Sequence, residues 1–311
     1  MSKTRNLITA GALMVLTGLS QLSFGQIRYE AALDASAKKL WSQQGSKIKC
    51  SLTGDIPEYG YVEFQSLSGS SIKTSMAVHP KLGISENSTM RFIAMRPEWQ
   101  SGGKEELLGH IRLYQSYDAW AGPTLSWKVM NALSRGKQVF MPYTSKIIAL
   151  SPLGFKEQYS KFLNCQQSLL KVSFKDVQVL PLIFKFQKAE LTARSLENLK
   201  IQLEYIAQDH AVNHVTIRVY SYDMKTHDEC LSMVKERADL IKKYYQDAGF
   251  KDEQIEVVQF NVLTVQSMND ENDPDTSPQS RNGITELSRD ESSKDRLLDE
   301  DLPDVGANDG E

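Results

Sequence analysis

The sequence predicts an α+β protein in two parts, an N-terminal antiparallel β barrel or sandwich and a C-terminal β-α-β-α-β domain. Two observations carry this prediction. From about residue 27 to residue 150, short β-prone runs are separated by Gly, Pro, Ser and Asn, which is the rhythm of an antiparallel barrel or sandwich. From residue 179 to residue 260, strand-like runs alternate with two helical patterns. A chain of 311 residues is long enough for two ordinary domains.

The first 25 residues have the three-part pattern of a secretory signal peptide. Lys3 and Arg5 precede an apolar stretch over residues 7–19, and small residues follow at Ser23 and Gly25. A membrane anchor is the alternative, but this stretch is shorter than the roughly 20 apolar residues that span a bilayer. We therefore expect cleavage after Gly25 and a mature protein in the periplasm.

The elements of the first domain, assigned to residues 26–170, follow from alternation and then from helical spacing. Strand-like runs occur at residues 46–52, 60–64, 71–78, 90–95, 110–114, 138–141 and 146–150. A helical pattern then places four apolar residues on one face: Phe155, Tyr159, Phe162 and Leu169. This domain is expected to be mostly β up to residue 150.

The three cysteines must be interpreted in an oxidising compartment. Cys50 lies in the first strand-like run, and Cys165 lies in the helical pattern. We predict that these two form a disulfide, which fastens the end of the first domain to its beginning. Cys230 is then a free, half-buried thiol. No metal site is predicted, because the cysteines are far apart in the sequence and no histidine pairs with them at ligand spacing.

The elements of the second domain, assigned to residues 171–288, are read in the same way. A strand is predicted at residues 182–186, and Thr192 is a plausible N-cap for the helix that follows. Strands are also predicted at residues 214–221 and 254–260. The apolar face of the first helix is Leu196, Leu199, Leu203 and Ile206. A second helix, from about residue 228 to 248 with Gly249 as its stop, is expected to bury Leu231, Val234, Ala238, Ile241 and Tyr245.

Asp223 and Arg237 are the candidate binding residues. Asp223 follows the strand-like run, and Arg237 lies one position before Ala238, at the edge of the buried stripe of the next helix. A carboxylate and a guanidinium held side by side can bind a zwitterion, one taking its ammonium and the other its carboxylate. Periodicity alone leaves open an ordinary surface ion pair, which would contribute little to stability.

The second domain resembles the OmpA-like peptidoglycan-binding family. Residues 183–192 resemble the family's opening strand and turn, and residues 280–287 resemble its late strand. Asp223 falls near the Asp of the family's Thr-Asp pair, and Arg237 and Ala238 match its Arg-Ala. The resemblance implies that Asp223 and Arg237 grip the diaminopimelate of the peptidoglycan peptide stem.

The first domain resembles the MotY family of periplasmic proteins of sodium-driven polar flagellar motors. The resemblance lies in residues 46–64, which include Cys50, and in residues 155–170, which include Cys165. It implies that the first domain docks onto the flagellar basal body and a MotX-like partner, while the second domain holds the wall, so that stator units gather around the rotor. The family also carries a disulfide in its first domain.

Composition and motifs exclude several other functions. Catalytic motifs such as Gly-x-Ser-x-Gly, a phosphate-binding Gly loop and His-Glu-x-x-His do not occur, so we expect neither an enzyme nor a cofactor. From Asn269 onward about 14 acidic residues face 4 basic ones, and residues 289–311 are expected to form a disordered acidic tail. The rest is mildly basic, and export argues against a nucleic-acid partner. A general OmpA-like envelope protein without a role in motility remains the alternative to a motor component.

Overall fold

The computed structural model describes residues 27–30, 40–69, 71–84, 87–97, 104–114, 118–259 and 281–290. The predicted signal peptide over residues 1–25 lies outside these ranges, as does the predicted tail from residue 291 onward. Within the described ranges, no helix is both long and apolar enough to cross a membrane.

The first domain contains two sheets that enclose one core. Its strands are β1 (Ile27–Glu30), β2 (Trp41–Gly45), β3 (Lys49–Ile56), β4 (Gly60–Leu67), β5 (Thr74–Pro80), β6 (Ser88–Met95), β7 (Glu106–Leu113), β8 (Ala119–Ala121), β9 (Gln138–Tyr143) and β10 (Lys146–Leu150). One sheet has the order β1-β10-β9-β6-β7 and the other β2-β3-β4-β5-β8. Neighbouring strands are antiparallel except for β1 and β10, which are parallel. The α+β prediction, with a strand-rich first part, is confirmed.

Two helices complete the first domain. Helix α1 (Pro123–Ser134) was not expected from the β-like rhythm, and helix α2 (Phe155–Ser168) was. Proline at the first helical position and Gly136 with a φ of 77° just beyond the last turn are the start and stop signals of α1. Its apolar side buries Leu125, Val129, Met130 and Leu133 against the strands.

The predicted disulfide is confirmed. It joins Cys50 at the start of β3 to Cys165 in the last turn of α2, across a sequence separation of 115 residues. Helix α2 also packs Phe155 and Phe162 into the core, and both are fully buried. The covalent link and the apolar contacts therefore hold the same helix onto the same sheet.

The second domain contains a four-stranded sheet covered by helices. The elements are α3 (Phe174–Gln178), β11 (Val179–Ile183), α4 (Ala193–Ile206), β12 (Val212–Val219), α5 (His227–Asp247), β13 (Ile255–Gln259) and β14 (Asn282–Arg289). The strand order is β11-β14-β12-β13. Strand β14 is antiparallel to β11 and β12, whereas β12 and β13 are parallel. The β-α-β-α-β order of the prediction is present.

Local signals located most of these elements. The Thr192 hydroxyl accepts a hydrogen bond from the Ser195 amide and caps α4 as predicted. The first strand ends at Ile183 rather than at residue 186, because the chain turns back there and Phe184 bridges to Leu191. Leu231 was expected to be buried, but it is 43% exposed. From α5, the members of the second core begin only at Val234, so the first two turns of this helix, which include Leu231, lie beyond that core.

The two domains meet at the turn between β2 and β3. Ile48 from this turn packs against the core of the second domain, and Lys47 forms a 2.8 Å ion pair with Glu204 of α4. Leu170 lies in the linker between α2 and α3, which joins the two domains. Its amide donates to the Lys47 carbonyl, and its carbonyl accepts from the Gly69 amide. The linker is therefore held by the first domain on both of its sides.

Candidate functional site

Asp223 and Arg237 are brought together by a loop and a helix of the second domain. Asp223 lies in the loop that follows β12, and Arg237 lies in the third turn of α5. The start of α5 is fixed by a capping box, in which Thr226 and Glu229 each accept a hydrogen bond from the other's backbone amide. The cap sets where the helix begins, and the helical repeat then turns Arg237 toward the loop.

The two side chains form a two-pronged ion pair. Arg237 Nη1 donates to Asp223 Oδ1 at 3.0 Å, and Nη2 donates to Oδ2 at 2.8 Å. Both side chains have 0% relative exposure. The alternative of an ordinary surface pair, which periodicity left open, is therefore excluded. The expectation that Arg237 lies at the edge of the buried stripe is wrong, because the side chain is fully buried.

Every N–H of the guanidinium has an acceptor. Besides the two bonds to the carboxylate, Nε donates to the Lys188 carbonyl at 3.1 Å. Nη1 also donates to the Tyr220 carbonyl and Nη2 to the Lys185 carbonyl, each at 3.4 Å. Because a guanidinium has five N–H donors, these contacts use all of them, and the charge is buried without an unsatisfied donor.

The carboxylate is equally well supplied with donors. The Gln187 amide donates to Asp223 Oδ2 at 2.7 Å, and the Ser221 hydroxyl donates to Oδ1 at 2.9 Å. Burial by itself raises the pKa of the Asp223 carboxyl. The bonds from Arg237, Gln187 and Ser221 outweigh burial, and the pKa lies below its ordinary value. Asp223 is therefore held as a carboxylate.

A turn after β11 closes this site from the solvent side. Residues 185–190 fold back on themselves, with the Lys185 amide donating to the Glu190 carbonyl at 2.7 Å. Phe184, at the entrance to the turn, places its ring 4.9 Å from the Arg237 guanidinium carbon. Gln187, in the middle, has a φ of 52°, a left-handed conformation that is uncommon for residues other than glycine.

Sequence reasoning missed the part played by this turn. Residues 183–192 were matched to the opening turn of the OmpA-like family, but no local signal relates them to Asp223. The contact joins Gln187 to a residue 36 positions away. Only the pairing of β11 and β12 with β14, which lies between them in the sheet, brings the two segments to the same edge.

Cys230 lies on α5 near the ion pair and is free, as predicted. It is buried rather than half-buried, with 5% relative exposure, and its Sγ lies 4.0 Å from the Met224 carbonyl oxygen. Burial raises the pKa of its thiol. Since the thiolate is the reactive form, a raised pKa and limited access both slow the reaction of this residue.

We expect the native protein to react with a thiol reagent such as dithionitrobenzoate roughly tenfold or more slowly than the unfolded protein does. One thiol per chain should appear on denaturation without reductant. The Cys230→Ser variant, as the control, should show none. Rapid labelling of the native protein would contradict the burial of Cys230.

Among the described residues, no group of three or more His, Cys, Asp and Glu side chains is placed to hold a metal ion. His210 and His214, which are four positions apart in the sequence, lie after α4 and within β12 respectively. His214 Nε2 instead lies 3.7 Å from a carboxylate oxygen of Glu256.

Comparison with known proteins finds one matching family and a similar flagellar protein. Residues 29–171 match the family described as the MotY N-terminal domain. Over 259 residues the chain is 24% identical to the sodium-type flagellar protein MotY of Vibrio parahaemolyticus serotype O3:K6 (strain RIMD 2210633), and the match covers 81% of this chain and 87% of that protein.

Two solved structures are similar over a shorter stretch. The OmpA-like domain of FopA1 from Francisella tularensis subsp. tularensis SCHU S4 is 19% identical, with a TM-score of 0.29, and the match covers 36% of this chain and 75% of that one. The periplasmic domain of Helicobacter pylori MotB is 15% identical, with a TM-score of 0.27 and coverages of 36% and 72%.

Proposed function

We propose that this protein is a periplasmic component of the flagellar motor that anchors stator units around the basal body by binding peptidoglycan. The proposal starts from residues 29–171, which match the family described as the MotY N-terminal domain. The observation that carries the proposal is this match together with a relative named as a sodium-type flagellar MotY, whose alignment spans 81% of the chain and thus both domains. The expected signal peptide supports the periplasmic location.

The second domain supplies the wall contact in this proposal. Its sequence resembles the OmpA-like peptidoglycan-binding family around Asp223 and Arg237. The two side chains lie side by side as a carboxylate and a guanidinium, the two kinds of group that bind the ammonium and the carboxylate of a zwitterionic diaminopimelate. Since both are buried and mutually bonded, binding requires the covering turn over residues 185–190 to move.

The first domain supplies the motor contact. We assign to it the docking onto the basal body and onto a MotX-like partner that its family resemblance implies. The linker Leu170 is bonded to the first domain on both sides, and Lys47 and Ile48 reach the second domain. A wall contact that is weak by itself becomes effective when the other domain is already held nearby, because the local concentration of the wall-binding site is raised.

Deletion of the gene tests the motor role directly. We expect cells with fully assembled but paralysed flagella, seen by electron microscopy and by swimming assays, and recovery on expression of the full chain. Normal swimming after deletion would remove the motor role and favour a general envelope protein with an OmpA-like domain. Loss of the filaments themselves would indicate a role in assembly instead of in stator anchoring.

A further inference from the structure

We propose that the turn over residues 185–190 is an internal substitute for the wall ligand, which keeps the Asp223–Arg237 site closed until the peptide stem displaces it. This inference rests on the proposed function and adds a mode of regulation to the same site. It predicts that the stability of the closed turn sets the apparent affinity of the protein for peptidoglycan.

The turn presents the polar groups that a zwitterion would present. An ammonium would donate to the carboxylate of Asp223, and the Gln187 amide occupies that place at 2.7 Å from Oδ2. A ligand carboxylate would accept from the guanidinium of Arg237. The carbonyl oxygens of Lys185 and Lys188 take those donors instead, at 3.4 Å and 3.1 Å.

The closed turn has the features of a segment that is easily displaced. Four of its side chains, Lys185, Gln187, Lys188 and Glu190, are exposed. The ion pair between Lys185 and Glu190 is more than half exposed on both sides, so solvent screens it. Gln187 also bears the cost of a left-handed backbone. The Asp223–Arg237 pair beneath the turn is fully buried, so solvent does not screen it.

Substitutions of Gln187, the left-handed residue, should shift the equilibrium between the closed and the open turn in either direction. Glycine adopts a φ of 52° without strain, so Gln187→Gly should favour the closed turn. A β-branched residue is a conformational outlier there, so Gln187→Val should favour the open turn. If only the open form binds, the apparent dissociation constant is the intrinsic one divided by the open fraction.

Co-sedimentation of the full mature chain with purified peptidoglycan sacculi tests this directly. We expect Gln187→Gly to weaken binding by about fivefold, because removal of a left-handed strain changes an equilibrium by roughly that factor. Gln187→Val should strengthen binding by a similar factor. Glu58 supplies matched controls, because it is an exposed residue with a φ of 63° in the turn between β3 and β4 of the first domain. Glu58→Gly and Glu58→Val should leave sacculus binding unchanged.

The possible outcomes distinguish failure of the closed-turn proposal from failure of the proposed wall binding. Equal binding by the wild type and both Gln187 variants, with competition by free diaminopimelate, would overturn the closed turn and leave wall binding in place. Absence of binding by the wild type and by Gln187→Val would overturn both. Hydrogen exchange gives a second readout, because a diaminopimelate-containing muropeptide should speed exchange of the Gln187 amide by releasing it from Asp223. Slower exchange with the muropeptide would contradict displacement.

Discussion

Replacing Asp223 with asparagine is expected to lower the free energy of unfolding of the second domain by about 3 to 5 kcal/mol. The Arg237 guanidinium is fully buried. Its hydrogen bonds to a carboxylate are those to Asp223. An amide cannot neutralise it, and the amide's own N–H₂ group would face either the Gln187 amide or the Ser221 hydroxyl. A buried charge without a counter-charge is among the few defects that cost this much.

Urea denaturation followed by circular dichroism measures this effect. The matched control is Asp252→Asn, the same chemical change in an ion pair of the same domain. Asp252 lies 3.0 Å from Lys242 Nζ, but its side chain is 72% exposed. The control should unfold at nearly the wild-type urea concentration. Equal loss of stability in both variants would mean that burial of the Asp223–Arg237 pair does not decide its contribution.

The same pair predicts the acid sensitivity of the second domain. The pKa of Asp223 is lower in the folded protein than its ordinary value. Its ionised form therefore stabilises the fold above the ordinary pKa, and this contribution is lost as the pH falls through the lowered folded value. We expect the gap in stability between the wild type and Asp223→Asn to narrow below about pH 4. A gap that is constant down to pH 2 would contradict the assignment.

Replacing both Cys50 and Cys165 with serine is expected to destabilise the first domain by up to about 4 to 5 kcal/mol. The disulfide closes a loop of 115 residues, and without it the unfolded chain gains the freedom that this closure removes. Two buried apolar anchors of α2, Phe155 and Phe162, remain, so the domain should still fold but unfold at lower denaturant concentration.

Removal of the disulfide should also loosen the connection between the domains. The disulfide holds the end of α2, and two residues after that helix Leu170 bonds to Lys47 and Gly69. We expect faster hydrogen exchange at the Leu170 and Gly69 amides in the double variant. The single variant Cys230→Ser, which leaves the disulfide intact, is the control and should exchange like the wild type. Unchanged exchange and an unchanged unfolding midpoint in the double variant would contradict this account.

A loose connection would matter for the proposed function. In that proposed function, a protein that holds a stator in place would transmit force between its two domains, so the two must not move independently. The ion pair between Lys47 and Glu204 is about half exposed on both sides and contributes little by itself. Stiffness therefore depends on the apolar contact of Ile48 and on the backbone bonds of Leu170.

The sequence by itself determined the local structure of both domains. The spacing of Val234, Ala238, Ile241 and Tyr245 at helical intervals predicted the buried face of α5, and all four are buried. Thr192 marked the start of α4, and Cys50 and Cys165 were paired correctly. These features are readable because each depends on the residue types of one element, or on a small number of covalent options.

Only the tertiary structure decided the state of the candidate site. Helical periodicity placed Arg237 at the edge of the buried stripe of α5. Periodicity gives the direction of a side chain, but it does not show what packs over that side chain. Arg237 is buried because the turn over residues 185–190 covers it, and that turn is some 50 residues away in the chain. The buried charge, the closed turn and the joint between the domains all arise from contacts between distant segments, which carry no local pattern of hydrophobicity.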